Sequence, residues 1–185
     1  MISTKSFAFG FFATVALFSG SAMAQDVQAG QVGQNVNVVN RASNGSTAVT
    51  NVELDASQQA GGWGAGVQAG QINQNVNAGT VAHDGSVGVT NIGLDAHQVQ
   101  DSGFYGGGVD SMVMDQNVNS FTGAAGGSTA STNVQFDASQ GQYGSDFVPN
   151  VQGASAGQSV NLENTAEFGS RGIVNVEAVG DQFQY

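Results

Sequence analysis

Two short segments recur four times along this 185-residue chain, at a fixed distance from each other. The first reads QNVN or QSVN and begins at Gln34, Gln74, Gln116 and Gln158. The second is centred on Asn51, Asn91, Asn133 and Asn175. The offset from Gln to Asn is identical in all four copies, whereas the distance from that Asn to the next Gln is shorter after Asn51 than after the later copies. A unit with constant internal spacing and variable spacing to the next copy is typical of a repeated structural module with variable outer loops.

Each unit alternates side-chain character with the period of two that a β-strand requires. In the first unit this pattern predicts strands over about residues 31–40 and 47–58, separated by the turn signal Asn44-Gly45. On the first strand, the inward face would carry Val32, Gln34, Val36 and Val38. On the second strand, it would carry Val52, Leu54, Ala56 and Gln58. The intervening polar residues would face outward.

A single unit buries only about four large aliphatic side chains, too few to fold alone. Stacking the copies in register about 4.8 Å apart would pair each interior backbone with its neighbours on both sides. We therefore expect an all-β fold, a β-solenoid of four strand-turn-strand repeats near residues 27–66, 67–108, 109–150 and 151–185, within one domain over 25–185. The pattern leaves open whether a repeat is one rung with strands of about 10 to 12 residues or two rungs of about 20 residues each.

Stacked amides would be the residues of self-assembly, because each buried amide would be satisfied by its own copy. The inward columns would be Gln34, Gln74, Gln116 and Gln158, and Gln58, Gln98, Gln140 and Gln182. The outward columns would be Asn37, Asn77, Asn119 and Asn161, and Asn51, Asn91, Asn133 and Asn175. The fourth repeat departs from the pattern at Ala156 and Val179, as terminal solenoid repeats do. After residue 24 the chain has no Lys and only Pro149 to blunt exposed strand edges, which favours polymerisation.

Residues 1–24 read as a secretory signal peptide. Lys5 supplies the positive charge, residues 7–18 form an apolar run, and Ala22-Met23-Ala24 matches a cleavage site. The apolar run is too short to span a bilayer as a helix, so we expect a secreted chain that begins at Gln25 and has no membrane insertion.

The charge and cysteine content exclude several functions. Beyond the signal, two Arg face all 14 acidic residues, a net charge of −12. Nucleic acid and anionic lipid are poor partners for such a surface. Without cysteine, the chain has neither disulfides nor thiolate metal sites.

The motif QxGxN at Gln31 to Asn35, the recurring Gln and Asn, the Gly-rich arcs and the terminal Gln184-Tyr185 resemble curlin-type functional amyloid subunits. The repeat, which runs from Gln34 to Gln74 between its first two copies, is longer than the curlin repeat and closer to the Fap-like fibre proteins of bacterial biofilms. This resemblance of pattern covers nearly all of residues 25–185, although the strict curlin spacing is not kept, since only Gly157 matches Gly33. It implies outer-membrane secretion and nucleation partners, assembly of a homopolymer at the cell surface of a bacterium, and a role in biofilm or adhesion.

Asp55, Asp95 and Asp137 would form an outward acidic column. We interpret this column as a solvated stripe whose repulsion opposes stacking, so acid should favour assembly. The alternatives are a calcium site, because Ca²⁺ prefers carboxylate oxygens, and a catalytic carboxylate cluster.

Two other functions remain open from the sequence. Four aromatic residues lie in the inter-unit loops: Trp63, Phe104, Tyr105 and Tyr143. They could stack on sugars in a monomeric secreted β-helical adhesin, make lateral contacts between fibres, or pack over the end of the solenoid. A β-helix enzyme acting on polysaccharide is the weaker alternative, because no nucleophile or phosphate-loop motif occurs. His83 and His97 occupy different columns and predict surface residues. A third column, Thr50, Thr90 and Thr132, lacks the paired Thr of a water-ordering surface. We expect no enzyme and no cofactor.

Overall fold

The computed structural model describes residues 10–19, 27–61, 66–101, 108–144 and 151–184. These residues form nine strands, and short turns join the second to the third, the fourth to the fifth, the sixth to the seventh and the eighth to the ninth. The strands are β1 (Gly10–Ser19), β2 (Val27–Ala42), β3 (Thr47–Gly61), β4 (Gly66–Ala82), β5 (Val87–Asp101), β6 (Gly108–Ala124), β7 (Thr129–Tyr143), β8 (Val151–Ala166) and β9 (Arg171–Gln184). Within these ranges there is no helical segment that could cross a bilayer.

The strands form two parallel sheets, in the orders β2-β4-β6-β8 and β1-β3-β5-β7-β9. Gln34 lies opposite Gln74, which lies opposite Gln116, so equivalent residues of successive repeats are neighbours. The predicted β-solenoid with in-register repeats is thus confirmed. Each repeat contributes one strand to each sheet, and we name these pairs rung 1 (β2 and β3), rung 2 (β4 and β5), rung 3 (β6 and β7) and rung 4 (β8 and β9).

One rung per repeat is therefore the correct alternative, and its strands are longer than expected. They run for 15 to 17 residues in rungs 1 to 3, because the alternation continues through small residues up to the turn. There the buried cluster contains only alanines: Ala42, Ala48, Ala82, Ala124 and Ala130. Small side chains suit this position because the two sheets converge where one strand turns into the next.

The turns have the backbone conformation that their sequence predicts. Asn44 and Gly45 both have positive φ, 56° and 70°, and the Ser46 amide donates to the Ser43 carbonyl at 3.2 Å. Two consecutive left-handed residues define a type I′ turn, for which Asn-Gly is the preferred pair. The turns also stack, since the Gly45 amide donates to the Asp84 carbonyl of the next rung at 3.0 Å.

The core alternates apolar and polar layers between the two sheets. The main apolar cluster includes Val52, Leu54, Ile92, Leu94 and Phe136. A second cluster contains Val32, Ile72 and Met114, packed with alanines from the other sheet. The inward faces predicted from period two are therefore the faces that the fold buries.

β1 was not predicted as part of the fold. It lies in the apolar run of the expected signal peptide and pairs in parallel with β3, from Gly10 opposite Val49 to Ser19 opposite Gln58. Cleavage after residue 24 stays a prediction. In the uncleaved chain, one edge of rung 1 is occupied by this segment.

Candidate functional site

The Gln34 column lies between the two sheets and joins them. Gln74 is 1% exposed, and its Nε2 donates to Gln34 Oε1 at 2.8 Å. The same Nε2 contacts the carbonyl oxygens of Leu54 at 3.0 Å and Asp95 at 2.8 Å, both on the opposite sheet. Gln116 repeats the pattern one rung later. Each interior glutamine therefore holds two rungs and two sheets with one amide group.

The Gln58 column forms a second ladder, which is buried in rungs 1 to 3 and exposed at Gln182 in rung 4. Gln98 donates to Gln58 at 2.7 Å, Gln140 to Gln98 at 3.3 Å and Gln182 to Gln140 at 2.8 Å. Gly70, on the facing strand, makes room for it, because a Cβ there would lie 2.8 Å from Gln58 Oε1. The glycine is thus required by the close approach of a buried amide rather than by a turn.

The asparagine columns lie on the outer faces. Asn91 donates to Asn51, Asn133 to Asn91 and Asn175 to Asn133, each at 2.7 Å. On the other sheet, bonds join Asn77 to Asn37 and Asn119 to Asn77, and Asn161 continues the column in register. The structure therefore brings together all four columns of amides that the repeats indicate.

One polar layer was missed. The Thr50, Thr90 and Thr132 column is buried, so it cannot order water at the surface. Its hydroxyls bond across to the other sheet, as Thr122 does to Thr132 at 2.7 Å. In rung 1, Asn40 occupies the position that Thr80 and Thr122 hold in the next two rungs of the same sheet. Its side-chain amide donates to the Val89 carbonyl oxygen at 2.7 Å. Because Thr50 is two residues from the inward Val52 on the same strand, the period of two could have shown that Thr50 also faces inward.

A further amide ladder consists of Gln100 and Gln142, which are buried, and Gln184, which is exposed in rung 4. Gln142 donates to Gln100 at 3.1 Å, and Gln184 donates to Gln142 at 2.9 Å. The column begins at Ala60 in rung 1, so the residue type is not constant along it. Comparison of repeats by identity alone does not find such a column.

The Asp55, Asp95 and Asp137 column faces outward in register, and Val179 ends it in rung 4. The pKa of Asp95 is raised, first by partial burial and then by the neighbouring carboxylates of Asp55 and Asp137, while His97 opposes the shift. Within the described residues, no group of three or more His, Asp or Glu could hold a metal ion. The calcium alternative stays a prediction.

The structure describes the two histidines and one of the four loop aromatic residues. His83 and His97 are both exposed, as expected. Tyr143 is 45% exposed at the end of β7. The other three loop aromatics, Trp63, Phe104 and Tyr105, lie outside the described residues, as do Pro149 and Tyr185.

The rung 4 end of the stack is an open surface, since β8 and β9 are the last strands of their sheets. In rung 4, Val176 is 45% exposed, whereas Ile92 and Val134 in the same column are 2% and 3% exposed. The other exposed apolar residues of β9, Ile173, Val179 and Phe183, lie on its outer face, as their odd positions place them with Asn175. The inward column that ends at Val176 is thus the part of the interior that rung 4 leaves uncovered.

On the outer face of the β2 sheet, a shallow groove follows the Asn37 column from rung 1 to rung 4. Its walls include Val39 and Arg41 of β2, Phe121 of β6 and Glu163 of β8. Arg41 and Glu163 therefore lie on the same face of the sheet, at opposite ends of the stack.

Comparison with known proteins returns no match: no protein-family model, no curated protein and no solved structure is similar to this chain. The function must therefore be argued from the columns and the ends of the stack.

Proposed function

We propose that this chain is an exported subunit of an amyloid-like extracellular fibre, which grows as the rungs of successive copies stack on one another. The observation that carries the proposal is the exposure of the inward side of rung 4. Val176 would be buried by one more rung, as Ile92 and Val134 are. A second copy of the chain supplies such a rung.

The backbone supports the same conclusion. β8 and β9 are the last strands of the two sheets, and β2 is the first strand of the sheet that ends with β8. Such edges present unpaired backbone groups that template the pairing of another strand. Strands β2 to β9 contain no Lys and no Pro, the residues that commonly protect an edge. Both sheets therefore end at rung 4 in a form that can accept a further strand.

The side-chain ladders favour identical copies over an unrelated partner. The Gln34 column ends at Gln158, and the Asn51 column ends at Asn175. Stacked identical amides hydrogen-bond along a fibre axis, as in cross-β assemblies. Only a chain with amides at these spacings continues all the ladders at once.

Export and a location at the cell surface are parts of the proposal that rest on the sequence alone. The expected signal peptide suits an exported chain, and its resemblance to curlin-like and Fap-like subunits suggests secretion and nucleation partners at a bacterial surface. The fibre would then serve biofilm structure or adhesion without catalysis. A monomeric adhesin is the alternative that the experiment must separate.

The test uses residues 25–185, diluted from denaturant into neutral buffer. We expect fibres that bind thioflavin and diffract with a spacing of about 4.8 Å along the axis and about 10 Å across it. The control carries Val38→Lys and Leu162→Lys, which place a charge in one inward column at both ends, and it should stay soluble with unchanged circular dichroism. A stable, folded wild-type monomer would refute the fibre and favour the adhesin.

A further inference from the structure

The amide ladders run in a single direction. In the Gln34 column, each Nε2 donates to the Oε1 of the preceding rung, as Gln74 does to Gln34 and Gln158 does to Gln116. The Gln58 and Asn51 columns have the same direction, ending with donation by Gln182 and Asn175. The amide oxygens of rung 4 therefore stand at the end of their ladders, with no later rung of this chain to donate to them.

This direction makes the two ends complementary to each other and not to themselves. If rung 1 of a second copy followed rung 4, Gln34 would donate to Gln158 and Asn51 to Asn175. Two rung 4 surfaces in contact would instead oppose oxygen to oxygen. Unpaired buried amides are unfavourable by about 1 to 3 kcal/mol each, so such a joint would be disfavoured at the two inward glutamine columns.

Charge adds a second argument for the same joint. Continuing the register places Glu163 of one copy opposite Val39 of the next, two residues from Arg41 on the same sheet face. With strands about 4.8 Å apart and about 3.3 Å per residue, the two Cα atoms would be about 8 Å apart, within reach of these long side chains. Between residues 25 and 185, the only other cation is Arg171.

A third observation shows that the rung 1 edge accepts a parallel strand. β1 lies along β3 in parallel over ten residues. By the same register, β9 of a preceding copy would occupy this place, with Asn175 opposite Asn51. The edge of β3 is thus suited to a strand in this orientation.

We propose that copies of this chain join in one direction only, with rung 4 of one copy against rung 1 of the next and with Glu163 of the first paired to Arg41 of the second. This inference rests on the proposed fibre and specifies its joint. The partner is a second copy, and the fibre is polar.

The first test blocks one end at a time in residues 25–185. Val38 and Leu162 occupy one inward column, in rung 1 and rung 4. We expect Val38→Lys alone and Leu162→Lys alone to remain monomers, because each lacks one surface of the joint. Their equimolar mixture should form dimers of twice the mass, measured by sedimentation above the wild-type assembly concentration, because the mixture has one intact joint. A dimer of either variant alone, or no dimer in the mixture while the wild type forms fibres, would overturn the polar joint.

The second test leaves the interior unchanged. Arg41→Glu and Glu163→Arg should each raise the soluble concentration that remains at equilibrium by about threefold at low salt, and the double variant should return it to the wild-type value. At about 1 M salt the differences should vanish. Single variants that behave as wild type, or a double variant no better than either, would contradict the ion pair. If the wild type forms no fibres, it is the proposed function that fails, and the two outcomes stay distinct.

Discussion

The inner and outer amide columns use the same chemistry to different effect. Gln74, inside, bonds to the rung before it and to two carbonyls on the facing sheet. Asn91, outside, bonds to Asn51 along its own sheet, at a half-exposed position. The inner amide is removed from water and must keep every bond, whereas the outer amide can exchange its bond for water. Ladders that look alike in the sequence therefore contribute unequally to the free energy of unfolding.

The largest difference between the columns should come from a charge. Gln116→Glu places a carboxylate in the core against carbonyl oxygens, with no cation among the groups to which this side chain donates, and should lower the free energy of unfolding by roughly 3 to 5 kcal/mol at neutral pH. Urea unfolding of the monomer, followed by circular dichroism, measures it. Gln135→Glu, the same exchange at an exposed position, should lose less than about 1 kcal/mol. Similar losses at both positions would show that the two faces do not differ as we describe.

The second largest difference in unfolding free energy should come from adding a methyl group to an inward glycine, compared with an outward one. Gly70→Ala would force a methyl group against the Gln58 and Gln98 amides and should lower the free energy of unfolding by about 1 to 3 kcal/mol. Gly93 lies outward in the next strand, and its nearest atom to a new Cβ is Val52 O at 4.0 Å. Gly93→Ala should therefore be neutral or stabilise by about 0.4 to 1 kcal/mol. Thermal unfolding of both variants provides the comparison, and a harmless Gly70→Ala would contradict the close packing.

A hydroxyl tests the polar layer that the sequence concealed. Thr132→Val keeps the shape of the side chain but removes the bond to Thr122, so we expect a loss of about 1 to 2 kcal/mol in unfolding free energy. Ser131→Ala, one residue away and half-exposed, should change it by less than about 0.5 kcal/mol. If Thr132→Val stabilises the chain, the hydroxyl layer has no structural role.

The smallest effect should be the pH dependence of the outer acidic column. Because the pKa of Asp95 is raised in the folded chain, the fold binds this proton more tightly than the unfolded chain does. Stability should therefore rise as pH falls through the raised value towards the ordinary one, and assembly should be faster near pH 4.5 than near pH 8. The groups around Asp95 are Asp55 and Glu53 on β3, Asp137 on β7 and His97 on β5.

Asp95→Asn should flatten this pH profile, measured as the unfolding midpoint and as the assembly lag. Asp115→Asn is the matched control, because Asp115 is exposed on the other sheet, between Asn73 and Gly157 of its column. It should leave the profile unchanged. Equal lag times at the two pH values in the wild-type chain would remove the acidic column as a brake on stacking.

Much of the fold could be predicted because the residue types recur at fixed spacing. Period two gave the inward faces, and the constant offset of Gln34 from Asn51 gave the register. The Asn40 column could not be found in this way, because its residues become Thr80 and Thr122 in later copies. The strands were also predicted to end too early, because small residues continue them without a hydrophobic signal. β1 was missed because a signal peptide is set aside before a fold is derived.

The irregular fourth repeat has a consequence for the fibre as a diffracting object. Four rungs about 4.8 Å apart give each subunit an axial length of about 19 Å. If every repeat were alike, the axis would show no period longer than one strand spacing. Because Val179 interrupts the aspartate column once in every chain, a weak layer line at about 19 Å should accompany the strong strand reflection. Its position would count the rungs contributed by each molecule.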